Sequence, residues 1–438
     1  MLRRELAIVL GARVTWLVAA VAALLIGHSF VLAVDLFSAG ARSVEAGGLM
    51  AREFDPLLGI VRPTLGGVYI SVSLLFPLVA ARALGIEKER RSLRVLLLHT
   101  AAPLRLLLNK YFAALVGGVL VLLSVLVSLF LWIGVGGHLA LGETAVALLG
   151  HTLHLMLITA IACAAAAWTE TVAQATAVTL VGVLGSWAID AAEGFAALAW
   201  LGGVAEWSIT AHLGSFERGV LSFGDAAWLL IASLGALSLA WSGLRFDWSI
   251  RRRLLTVSAT LLVLFPLLRL AGQTAGARDF TERQRASFPS GVVSALRSLP
   301  QSVSLTVMLD RDDSRRRQLE LDVLSRLRLA RSDLRVRYPL DEGALSVAAT
   351  RDDSYGRIEI CAGSQCQQTY SINRKELVAL LFESAHRQPP NFEQRNYPGH
   401  PLVVEGARRT VILWQSYLLV PLTLTVIGLW VTRRRIRK

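Results

Sequence analysis

Eight stretches of this chain are long, apolar and almost free of charge: residues 14–36, 63–84, 111–135, 144–168, 171–189, 226–243, 254–271 and 411–432. A bilayer's hydrocarbon core needs about 20 such residues per helix. Lipid offers no partner to an unpaired backbone N–H or C=O, so runs of this kind cross a membrane as helices. The whole-chain figures agree, with 54% hydrophobic residues and a mean hydropathy of +0.53, both on the lipid side of a soluble globular domain. The fifth and sixth runs are short and carry Gly, Ser and Thr. The expected fold is therefore an α-helical polytopic membrane protein with about eight transmembrane helices.

Charge orients the spans. With the N-terminus in the cytoplasm, residues 1–13, 82–110, 169–170, 245–253 and 433–438 lie on the cytoplasmic side and together hold 19 Lys/Arg against 5 Asp/Glu. Residues 272–409, on the opposite side, hold 21 against 17. Nearly all of the net charge of +13 thus collects on one side, as the positive-inside rule requires. A pI near 10.4 can signal nucleic acid, but "RRRIRK" and "SIRRR" flank spans directly and read as anchors beside anionic lipid. The first run follows "MLRRELAIVLGAR" and is longer than a signal-peptide core, so it is expected to remain as a span. Both termini are expected on the cytoplasmic side.

Between residues 273 and 409 the apolar runs shorten and charges mix, as in a water-soluble domain. "VSLTVML" reads as a buried strand, "SRRRQLELDVLSRLRLA" as an amphipathic helix, "LRVRYP" and "LSVAAT" as short strands. "RIEICAGSQCQQTYS" reads as a hairpin and "INRKELVALLFESAHR" as a helix. This order describes a small extracytoplasmic α/β domain, tethered back to the membrane by the Pro- and Asn-rich "QPPNFEQRNYPGHP". Cys361 and Cys366 flank its hairpin turn. A disulfide suits that position and that compartment; free thiols and a metal or redox pair are the alternatives. Cys163 falls inside the fourth span and reads as a packing residue.

Motifs for catalysis are missing. The chain has no G-x-x-x-x-G-K-[ST] phosphate loop, G-x-S-x-G or H-E-x-x-H, which excludes the commonest nucleotide-hydrolysing and hydrolase signatures. In "HTLH", His151 and His154 share a helix face and could meet one metal or haem with His138 as a third ligand, though packing inside a bundle is the simpler reading. Asp190 and Asp225 sit near span ends, where interfacial solvation is a simpler account of them than lining a substrate path. No metal and no cofactor is expected in the chain.

One connection is out of proportion. "EKERRSLRVLLLHTAAPLRLLLNK" joins the second and third spans. Glu87, Lys88, Glu89, Arg90, Arg91 and Arg94 crowd its start, and Leu93, Val95, Leu96 and Leu97 then form an apolar face that a solvated loop does not need. Pro103 interrupts it, and Lys110 leads into the third span. Such a helix requires either a partner or the headgroup layer to cover it.

This stretch resembles the segment after the second span of ABC-2 type transporter permeases, in which E-R-x-x-G-T-L-x-x-L-L-x-x-P precedes G-K. Glu89, Arg90, Leu93, Leu96, Leu97, Pro103 and Lys110 match, Ser92 takes the Thr position, and Arg91 and Asn109 stand where that pattern has Gly. "FDPLLGIVRPTLGGVYI" and "FERGVLSFGDAAWLL" are similar to the family's approaches to spans two and six. "FPSGVVSALRSLPQSVSLTVMLDRDD" and the ending "LVPLTLTVIGLWVTRRRIRK" are similar to the membrane-anchored auxiliary subunit of gliding-motility-type ABC systems.

The resemblance implies a permease fused to that auxiliary subunit: a six-span domain over residues 1–248, a seventh span at 249–272, the extracytoplasmic domain at 273–409, and an eighth span with a basic cytoplasmic tail at 410–438. It implies a separate ATP-binding subunit that holds ATP and Mg. That subunit would dock on Glu87, Glu89, Arg90, Ser92, Leu93, Arg94, Leu96, Leu97, Pro103 and Lys110. A homodimer, contact with membrane lipid, an extracytoplasmic partner protein and no nucleic acid complete the expectation. ATP-driven mechanical work without cargo, and a membrane metalloenzyme using the histidines, are the other readings.

Overall fold

The structure, a computed structural model of the 438-residue chain, describes all residues except 1, 46–55, 100–102, 193–203, 205–206, 275, 283–286, 311–312, 332, 341–354, 391–401 and 437–438. The strand expected at "LSVAAT" and most of the Pro- and Asn-rich tether lie outside the described residues.

Among the described residues, eight helices are long and apolar enough to cross a membrane. Spans 1–8 are Arg13–Arg42, Leu57–Glu89, Pro103–Gly134, Leu141–Trp168, Val172–Asp190, Phe223–Leu244, Ile250–Gln273 and Gly406–Arg434. Every expected run lies in one of them to within a residue, and most helices overrun the apolar stretch by a turn or more at their polar ends. Lipid needs only the apolar stretch, but each helix continues until something caps it.

Among the described residues, spans 2 and 8 contain three π-helical turns, at Leu57–Val61, Ser71–Leu75 and Gln415–Leu419. Pro63, Pro77 and Pro421 follow these turns by two residues. Proline lacks an N–H and its ring strikes the carbonyl four residues back. A wider turn just before it relieves that contact: Phe76 N–H bonds the Ser71 carbonyl at 3.0 Å, five residues back rather than four.

The chain divides into two compact units. One comprises residues 1–188, 207–280 and 396–438, so spans 7 and 8 pack in one body with the first six; the other comprises 189–206 and 281–395. In the first unit, helix α1 (Leu2–Leu10) precedes span 1. Helix α2 (Leu93–His99) lies between spans 2 and 3, and α3 (Ile209–Glu217) precedes span 6. Strand β1 (Val220–Ser222) pairs antiparallel with β2 (Ala277–Asp279), joining the start of span 6 to the chain beyond span 7. Span 8 lies against span 1 through two glycines. A Cβ on Gly27 would fall 2.7 Å from the Ser416 carbonyl oxygen, and one on Gly428 would fall 2.4 Å from Trp16 Cβ.

At the far end of span 1 from α1, the chain returning to span 8 is clamped. Arg42 Nη1 bonds Glu405 Oε1 at 2.7 Å, and Arg409 reaches both oxygens of Asp35 at 3.0 and 3.1 Å. Val404 N–H donates to Ser38 Oγ at 3.1 Å.

The second unit holds α4 (Ser290–Arg297), β3 (Val303–Val307), α5 (the contiguous stretches Ser314–Leu319, Glu320–Leu324 and Ser325–Ala330), β4 (Arg335–Arg337), β5 (Ile358–Ala362), β6 (Gln365–Thr369) and α6 (Arg374–Ser384). The sheet order is β4-β3-β5-β6, with β3 and β4 parallel and the other pairs antiparallel. Val303, Leu305 and Val307 alternate with polar neighbours and are buried, as are Ile358, Ile360 and Ala362. They meet Leu319, Val323 and Leu327 from α5 and Leu377, Leu381 and Phe382 from α6. Cys361 and Cys366 face each other in register across the β5–β6 hairpin and are joined by a disulfide.

Candidate functional site

The connection after span 2 begins with a helix stop. The helix ends at Glu89, Arg90 is its C-cap (φ −78°, ψ 1°), and Arg91 turns left-handed at φ 58°. The Arg91 N–H bonds the Lys88 carbonyl at 2.9 Å and the Ser92 N–H bonds the Glu87 carbonyl at 3.0 Å. This pair of bonds is a Schellman stop, whose left-handed residue is ordinarily glycine. Ser92 Oγ adds a second bond to the Glu87 carbonyl at 3.2 Å, and α2 starts at the next residue.

The three charged side chains before the stop each hold a different element. Glu87 Oε2 lies 2.7 Å from Lys110 Nζ, at the beginning of span 3. Lys110 is 1% exposed. Its ammonium also donates to Glu5 Oε2 of α1 at 2.9 Å and to the Ala83 carbonyl at 3.1 Å. Two hydrogen bonds and the ion contact with Glu87 therefore surround the buried ammonium, the pairing that a charge away from water requires. Lys88 Nζ donates to the Ala167 carbonyl at 2.9 Å, in the last turn of span 4. Glu89 Oε1 accepts from the Val172 N–H at 2.7 Å, the first residue of span 5. A cation on the C-terminal end of one helix and a carboxylate on the N-terminal end of the next both oppose the helix dipoles favourably. Residues 87–89 thereby join span 2 to α1 and to spans 3, 4 and 5.

The expected docking residues are divided by this arrangement. Glu87 and Lys110 form an interior ion pair, and Glu89 is engaged as a helix cap. Leu93 is 1% exposed, and Leu96 and Leu97 pack half-buried on the same core. These leucines cover the chain's own interior because the Schellman turn folds α2 back against it. Pro103 opens span 3, where its missing N–H is not needed. Arg90, Arg91 and Val95 are exposed, as are Leu104 and Arg105 just beyond. The Arg94 side chain lies outside the described residues. Glu5 escaped the sequence reading entirely. Its one signal was a lone acid on an otherwise basic and apolar amphipathic helix.

The histidines lie elsewhere. His151 and His154 are fully buried in span 4. His151 Nε2 is 3.6 Å from Glu217 Oε1, and His154 Nε2 is 3.1 Å from Ser73 Oγ. Burial resists ionisation of Glu217, but His151 and Arg62 outweigh it and hold the carboxyl below its usual value. Asp225 is bonded by His212 Nδ1 at 2.8 Å and by Ser215 Oγ at 2.6 Å, and Asp190 ends span 5 half-exposed. Among the described residues, ligand-type atoms of three side chains converge at Glu359, Cys361 and Cys366, where the disulfide already occupies both sulfurs. The chain matches no family model, no curated protein and no solved structure.

Proposed function

We propose that this chain is the membrane-spanning permease subunit of an ABC transporter of the ABC-2 type, set in a bacterial inner membrane with both termini cytoplasmic. A separate ATP-binding subunit supplies the ATP, the Mg and the hydrolysis, and an envelope-related substrate moves outward through a homodimer of six-span cores. The observation that carries this reading is the set of bonds made by Glu87, Lys88 and Glu89 to spans 3, 4 and 5, with Lys110 carrying the link on to α1. A push on the turn between spans 2 and 3 cannot stay local, because α1 and spans 3, 4 and 5 are held by it. The docking face on this reading is the exposed set Arg90, Arg91, Val95, Leu104 and Arg105, basic at its edge and apolar at its centre.

Residues 281–395 form the extracytoplasmic α/β domain on this reading. Its chain enters through the β1–β2 pair and leaves through the clamp at Asp35, Arg42, Glu405 and Arg409. Fastening at both connections favours a second reading, in which the ATPase drives motion of the outer domain without cargo. Accumulation of substrate inside inverted vesicles supplied with ATP separates the two.

The docking test is co-expression with a phosphate-loop ATPase encoded beside this chain. Arg90→Glu with Val95→Asp is expected to abolish co-purification of the ATPase while leaving the melting temperature unchanged. Normal co-purification of that double variant would overturn the docking assignment.

A further inference from the structure

Between α3 and span 4 lies a group of ionisable side chains that the docking reading does not use. Glu217 ends α3 with its side chain 18% exposed, and Arg62 Nε donates to its Oε2 at 3.3 Å. His151 Nε2 stands 3.6 Å from the other carboxylate oxygen, too far for a hydrogen bond and close enough for an ion pair. One helical turn on, His154 meets Ser73 and stacks on Tyr69 with ring centroids 4.9 Å apart. The Tyr69 hydroxyl is 3.0 Å from Thr210 Oγ1 of α3.

Among the described residues, three ring nitrogens here, both of His151 and Nδ1 of His154, have no hydrogen-bond partner, and none of the three is open to solvent. A buried polar atom left unpaired is costly, and apolar side chains of similar volume would avoid that cost. Ser73 lies inside the π-turn Ser71–Leu75 of span 2, the kind of distortion found at functional positions in helices. Ionisable groups facing a bundle interior at membrane depth mark ion and proton paths, and histidine is the side chain whose ordinary charge change falls near neutral pH.

We propose that Glu217, His151 and His154 form a proton-binding relay from the surface at α3 to the bend in span 2. A proton taken up at the Glu217 carboxylate passes to His151 Nε2, which becomes an imidazolium facing that carboxylate. It then passes to His154, whose Nε2 faces Ser73. Each step moves one proton from oxygen to nitrogen or between nitrogens, and nothing is oxidised or reduced. The other ionisable groups on elements packed against this part of span 4 are Arg62 and Tyr69 of span 2, Tyr111 of span 3, His212 of α3, Asp225 of span 6, and Glu143 on span 4 itself. His212 and Asp225 are paired with each other, and the Tyr111 hydroxyl donates to the Met156 carbonyl. Arg62 is therefore the cation that competes with His151 for Glu217. This relay does not depend on the ATPase-docking reading.

The test is solid-state NMR of the full chain, labelled with 15N-histidine, in lipid bilayers at pH 8 and pH 5. His151→Gln and His154→Gln assign the two signals. Both rings are expected neutral at pH 8, with an imidazolium signal present at pH 5. Glu217→Gln should cut the His151 imidazolium fraction at pH 5 several-fold by removing its counter-charge, and Arg62→Gln should raise it. If a histidine variant does not fold, the contact of His154 to Tyr69 assigns the rings in the unmodified chain. Rings that stay neutral with unchanged tautomers down to pH 5 would overturn the relay. So would Glu217→Gln and Arg62→Gln shifting the fraction in the same direction.

Discussion

Lys110 is the residue on which most local order depends. Its ammonium is shared among Glu5, Glu87 and the Ala83 carbonyl, and it is 1% exposed. Removing one member of a buried ion group strands the rest, which costs about 3–5 kcal/mol. Lys110→Met should lower stability by that amount in a thermal melt of the purified protein, since two carboxylates would face each other without a cation. Glu5→Gln should cost far less, because Glu87 still neutralises the ammonium; equal losses from both variants would refute this account. None of this was legible locally. Glu5 and Lys110 are 105 positions apart, and a pairing at such a separation leaves no periodic trace in the sequence. Leu93 was legible as part of an apolar face that needs covering, but the sequence pointed to a partner or the headgroup layer for that cover, and the chain's own core supplies it.

At the scale of elements, the stop after span 2 shows how a misfit residue can be read. Arg91 is left-handed at φ 58°, a conformation that costs an ordinary L-residue about 1–2 kcal/mol. Arg91→Gly should therefore raise stability by about 1 kcal/mol in a thermal melt, and an unchanged or lower melting temperature would mean that the Arg91 side chain makes a compensating contact. The resemblance to a Gly-bearing pattern marked this position before any geometry was known. The spans were legible because lipid imposes one rule on every residue of a run, and the β5–β6 hairpin because its strands alternate about a Gly-Ser turn. The π-turns were not. Pro63, Pro77 and Pro421 were visible inside or beside apolar runs, but proline can kink, end or widen a helix, and the neighbouring packing selects among these. The caps that Lys88 and Glu89 place on spans 4 and 5 were equally hidden, because a charged pair next to a membrane reads first as a topology anchor.

For the whole molecule, the contact between spans 1 and 8 decides whether the last helix belongs to the bundle or merely trails from it. Gly27 and Gly428 admit Ser416 and Trp16 at distances that no side chain would allow. Gly428→Val should force the two helices apart and lower stability by about 1–3 kcal/mol, the usual cost of overpacking, read as the melting temperature in detergent. No change would show that the helices were already free to separate. The sequence reading set span 8 apart as the end of a fused auxiliary segment, since order along the chain was the only guide. The glycines that seat it against span 1 are ordinary residues of apolar runs until their neighbours are known.

That seam also has a place in time. Span 1 is made early, yet Asp35, Arg42 and the groove at Gly27 receive their partners only from residues 405–428. Until residues 405–428 have been made, the first helix carries an unfilled notch and two unmatched charges. A chain that stalls or is cut before this point keeps them, offering quality-control proteases a difference between an unfinished copy and a finished one.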